Sequence, residues 1–195
     1  MSFWCKKPSQ TIDRTIIRML VIWVLESPAN DKLMANILAF ELDEEEAQLP
    51  FTARLAREQG WTHFYAGRVV DEYKRFVVLA MLAGHPVTPS EQVDQAWHLH
   101  MVYTKNYWQK FCHDTLGRDL HHQPTQGGTH ENDKFFDWYS KTLESYRRVF
   151  GTEPPNDIWP SPKDRFTDAT ASRWINTSNF WLIPKPVFIK HLFRK

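Results

Sequence analysis

At 195 residues the chain is long enough to bury a core without disulfides or other staples, which points to one large domain plus a tail. Its 24 Lys+Arg offset 23 Asp+Glu, so the overall charge gives no case for nucleic acid or an anionic membrane as partner. Two cysteines, Cys5 and Cys112, with no signal-peptide pattern, read as a reduced, cytoplasmic protein rather than a disulfide scaffold.

Residues 13–27 and 29–42 read as two helices separated by Ser27-Pro28. The apolar run at 16–25 carries Arg18 and falls short of the roughly 20 apolar residues needed to cross a bilayer, so no transmembrane segment is expected. The acidic run 43–46, followed by Pro50, reads as a solvated linker. From 61 to 83 the residues Phe64, Tyr65, Val69, Val70, Tyr73, Phe76, Val77, Ala80 and Met81 recur at three- and four-residue intervals, the pattern of a long amphipathic helix. Gly84 supplies its stop.

His85-Pro86-Val87 forms a turn, and Thr88-Pro89-Ser90-Glu91 reads as a capping box with Pro at the first helical position. The next helix is therefore expected from 89 to 116, ended by Gly117. Residues 117–130 form a loop containing Gly127-Gly128, which reads as a plain turn, and 131–150 form a further helix closed by Gly151. The last 44 residues hold six prolines, interleave Trp159, Trp174 and Trp181 with basic residues, and suggest an extended arm with a short strand at 187–192. The fold expectation is all-α: a single helical domain of five or six helices with a Pro/Trp-rich C-terminal arm, divided as 1–48, 49–151 and 152–195.

Seven of the nine histidines fall between His85 and His130, and four of these form the couplets His98/His100 and His121/His122 around Cys112. Imidazole is the commonest ligand for Zn²⁺ and the commonest acid/base group near neutral pH. Successive helical residues turn about 100°, so His98 and His100 point about 200° apart and cannot both bind one ion on an undistorted helix. Asp94 and His98, four apart, can touch; His100 lies with Val93 and Trp97 on the apolar side. Cys112 follows His100 by about 18 Å of straight helix, too far for a shared coordination shell. His121 or His122, in the loop, can fold back to supply a ligand that one helical turn cannot provide. The spacing matches neither HExxH nor paired CxxC, and no nucleotide-binding or hydrolase-elbow motif occurs.

The stretch Val93-Asp94-Gln95-Ala96-Trp97-His98-Leu99-His100, followed by Tyr107, Cys112, Gly117 and His122, resembles the glycine-rich domain-containing-protein-like family. The resemblance spans residues 49–160, although the chain has only seven glycines and no glycine-rich tail. It implies a shared motif and a helical domain, and carries no reaction or cofactor.

The leading functional expectation is a mononuclear metal site, most simply Zn²⁺, drawn from Asp94, His98, His100, His121 and His122, with a position left for water and hydrolase-like chemistry. The alternative is a non-enzymatic module whose Trp97, Tyr103, Tyr107, Trp108 and Phe111 face, with the Trp-bearing tail, grips a peptide or protein while the histidines are structural. A third reading places the basic end, Lys185, Lys190, Arg194 and Lys195, on a membrane surface. The partner is thus a small molecule, a peptide or a protein, with no nucleic acid.

Overall fold

The computed structural model describes residues 27–44, 46–123 and 129–166, with the backbone alone over 129–133. The expected helix at 13–27, all but its last residue, lies outside the described residues, as do the Gly127-Gly128 turn, the strand at 187–192 and the basic end. Among the described residues there are seven helices and no strand, so the all-α expectation holds. They are α1 (Pro28–Leu38), α2 (Phe51–Gln59), α3 (His63–Leu82), α4 (Glu91–Val102), a π-helix (Lys105–Leu116), α5 (Thr129–Phe150) and α6 (Pro162–Arg165). No helix among the described residues is long and apolar enough to cross a membrane.

The central element is α3. Its Val69, Val70, Tyr73, Phe76 and Val77 are buried, and α1, α2 and α4 pack around it. The cap Thr62 starts it by accepting from the Tyr65 N–H, and Gly84, at φ 76°, follows its end in the left-handed region that the stop signal requires. Sequence reasoning overlooked α2, which is short and follows the acidic run. That run is more than a linker: Asp43 Oδ1 accepts from the Thr52 N–H at 2.7 Å and satisfies a donor in the first turn of α2.

The expected helix over 89–116 is two helices. Ser90, not Thr88, is the cap of α4, its Oγ accepting from Val93 N–H at 3.2 Å. The helix then breaks at Tyr103, where ψ reaches 60°, and resumes with π winding. The buried residues explain that winding. Tyr107, Phe111, Cys112 and Leu116 would spread over about half the circumference of an α-helix. At about 4.4 residues per turn they fall on one side and enter the core together. Gly117, at φ 68°, closes the segment and sends its N–H to the Cys112 carbonyl.

The chain beyond Gly151 returns to α3. Arg68 grips the Asp157 carboxylate with both guanidinium nitrogens at 2.5 and 2.9 Å, and Tyr65 donates to the Asp157 carbonyl. Ile158 and Trp159 are buried beside it. Beneath them Glu72, only 6% exposed, accepts from Arg75 and Tyr146 at one oxygen and from Trp159 Nε1 at the other, 2.9 Å away. Burial pushes its carboxyl above the ordinary glutamate value, against the pull of these donors.

Candidate metal centre

Asp94 and His98 lie one turn apart on the outer face of α4, with His98 Nε2 3.8 Å from Asp94 Oδ2. Gly117 turns the chain at the end of the π-helix, and within five residues the loop is back against α4. There His122 Nε2 stands 2.8 Å from Asp94 Oδ1 and 3.1 Å from His98 Nε2. Each residue offers one ligand atom, and these atoms all lie within 4.8 Å of one another. The Trp97 indole meets the His122 imidazole nearly edge-on, centroids 4.5 Å apart. The side chains are 24% (Asp94), 50% (His98) and 16% (His122) exposed, so the group is walled on the loop side and open to solvent at His98.

The other two candidates lie elsewhere. His100 is wholly buried on the opposite face of α4, ringed by Phe40, Phe51, Tyr73, Tyr107 and Phe111 at centroid distances of 5.0 to 6.1 Å. Both its nitrogens are engaged, Nδ1 with the Tyr73 hydroxyl at 2.9 Å and Nε2 with Asn106 Oδ1 at 2.8 Å. Because Asn106 Oδ1 can only accept, Nε2 carries the proton and Nδ1 accepts from Tyr73, the neutral tautomer. Burial lowers its pKa to about 4. His121 points outward, 3.8 Å from Asp119 and beside the Trp108 ring. Neither joins the ligand group.

Cys112 is a free, buried thiol whose pKa burial raises, and it faces Tyr107 and Leu120 rather than the Asp94, His98 and His122 cluster. The aromatic stripe that the alternative reading made a groove is mostly interior: Trp97, Tyr107 and Phe111 are buried, while Trp108 stays 39% exposed. Sequence reasoning missed Asn106 as the acceptor that fixes the tautomer of His100, and no spacing signal marks it, because the break at Tyr103 brings it there.

The ligand atoms can be compared with what a metal requires. Nitrogen and oxygen ligands at about 2.0–2.1 Å on a tetrahedral ion stand about 3.3 Å apart. His122 Nε2 lies near that value from both partners, 2.8 Å from Asp94 Oδ1 and 3.1 Å from His98 Nε2, while His98 Nε2 is 3.8 Å from the other carboxylate oxygen, Oδ2. His122 Nε2 also makes two short contacts with at most one proton to serve them, whereas a cation facing three lone pairs serves all three ligands at once. The donor set fits a divalent ion.

Fold and site together describe an all-α protein carrying a two-histidine, one-carboxylate cluster at its surface. The chain matches the model of the UCP032817-like family, which is uncharacterised, over residues 50–135, a span that holds α2 to the start of α5 and all three cluster residues. That match overturns the resemblance to the glycine-rich domain-containing-protein-like family. No curated protein and no solved structure matches the chain.

Proposed function

We propose that Asp94, His98 and His122 hold one divalent transition metal, Zn²⁺ in the first instance, and that the protein uses it in hydrolase-like chemistry. One observation carries the reading: a loop residue 28 positions away brings its Nε2 to 2.8 Å from a helix carboxylate and 3.1 Å from a helix imidazole. Two imidazoles and one carboxylate match catalytic zinc sites, which keep a further position for water and lower the pKa of that water to about 7. The exposed edge of His98 leaves room for such a position. Asp94 contributes the negative charge that offsets part of the ion's own. Cys112, a free buried thiol, suits a reducing compartment such as the cytoplasm.

The test is metal analysis of the purified full chain after dialysis against Zn²⁺, alongside His98→Ala and His122→Ala. About one equivalent of zinc in the parent, lost from both folded variants, supports the reading. A folded parent that takes up no zinc, or variants that retain it in full, removes it. The hydrolase component is tested separately by cleavage of chromogenic carboxyl and phosphate esters by the zinc-loaded protein, and it falls if the zinc-loaded rate equals that of zinc-free protein.

A further inference from the structure

The return of the loop to α4 is held by two side chains that are not ligands. Trp97 Nε1 donates to the Tyr107 hydroxyl at 2.9 Å, and that hydroxyl donates onward to the Leu120 carbonyl, two residues before His122. Tyr107 has no solvent exposure and Trp97 very little, so neither bond has water as a ready substitute. Trp97 sits between Asp94 and His98 in the sequence of α4, and its indole is also the wall against the His122 ring. The same helix therefore supplies two ligands and, through Trp97, half of the device that delivers the third. The other half depends on π winding, which turns Tyr107 into the core beneath the loop.

We propose that Trp97 and Tyr107 are positioning residues: they latch the 117–122 loop onto α4 through the Leu120 carbonyl, so that His122 is set at Asp94 and His98 before any ion arrives. This rests on the metal reading for its purpose, but the latch itself can be examined without metal. It makes the site preorganised, with the ordering of the loop already accomplished by folding. Tyr107 is the key residue because its hydroxyl accepts from one partner and donates to the other; phenylalanine leaves the Trp97 N–H and the Leu120 carbonyl both unpaired.

The experiment compares full-length parent, Tyr107→Phe and His98→Ala by amide hydrogen exchange over residues 118–123 without metal, and by Zn²⁺ titration. In Tyr107→Phe, exchange over 118–123 is expected to rise at least about tenfold and Zn²⁺ affinity to fall about 10- to 100-fold, the range for groups that orient ligands. In His98→Ala, zinc binding is lost while exchange over 118–123 stays as in the parent. A tyrosine that served only the core would lower the melting temperature and leave the zinc affinity of the folded protein unchanged. If Tyr107→Phe shows parental exchange over 118–123, the latch is overturned. If the parent binds no zinc, the metal reading fails alone and the latch stands or falls on exchange. Should Tyr107→Phe not fold, Trp97→Phe, which keeps an aromatic ring and removes the N–H, is read by the same criteria.

Discussion

Asp94 Oδ1 and His122 Nε2 meet at 2.8 Å, joining the outer face of α4 to the loop that follows the π-helix. The carboxylate is the only anion among the three proposed ligands, and an amide of the same shape is a far poorer ligand. Asp94→Asn is expected to lower Zn²⁺ affinity by at least about 100-fold, beyond the range seen for orienting groups, while loss of the charge in the first turn of α4 and against His122 costs about 1 kcal/mol of stability. Titration calorimetry with zinc, paired with urea unfolding, checks both halves. Parental affinity in the variant would mean that Asp94 is not a ligand.

His100 makes stability depend on pH. In the folded chain it titrates at about 4, below the ordinary histidine value of 6.5. Between these values the unfolded chain binds a proton that the folded chain refuses. This contribution is therefore complete above about pH 6.5, is lost as the pH falls toward 4, and is level below that, for a total of about 3 kcal/mol. Urea midpoints at pH 7, 6, 5 and 4.5 follow the loss. His100→Phe is expected to start lower, with Tyr73 and Asn106 deprived of their partner, but to show a shallower slope over the same interval.

Trp159 completes the buried Glu72 group, so two substitutions separate its packing from its hydrogen bond. Trp159→Phe keeps a ring and leaves Glu72 Oε2 without its donor, at an expected cost of about 1–3 kcal/mol. Trp159→Ala adds a cavity and is expected to cost about 3–5 kcal/mol. Thermal unfolding that ranks Phe at or below Ala would contradict the assignment.

Gly117 turns the chain with φ 68°, and a Cβ added there meets no atom within 4 Å. The expected cost of Gly117→Ala is therefore conformational alone, about 1–2 kcal/mol. Gly117→Asn should recover part of it, because asparagine tolerates the left-handed region. Denaturant midpoints for the pair decide this, and an alanine variant as stable as the parent would show that the loop leaves the π-helix differently.

Much of this was legible because side chains repeat with the helix. The apolar spacing along α3 and the opposed directions of His98 and His100 follow from 100° per residue, and the stops at Gly84 and Gly117 from glycine's access to positive φ. Where the winding changes, that arithmetic fails. The break at Tyr103 and the π segment place Asn106 and Tyr107 where no regular helix from 89 to 116 would put them. The choice of His122 over His121 was equally hidden. Adjacent loop residues carry no periodicity, and the selection is made by where the Leu120 carbonyl is held. Short α2 escaped notice because its buried apolar residues, Phe51, Leu55 and Ala56, span barely two turns.

The Glu72 group also sets where this protein can be cut. The span matched by the UCP032817-like family ends at residue 135, yet Tyr146 and Trp159, two of the three donors to Glu72, come after it. A fragment trimmed to that span would leave Arg75 as the remaining side-chain donor to the carboxylate, and would strip Asp157 from Arg68 on the same helix. Recombinant truncations should therefore retain everything through α6, since the segment beyond residue 135 supplies the hydrogen-bond partners of the middle of α3.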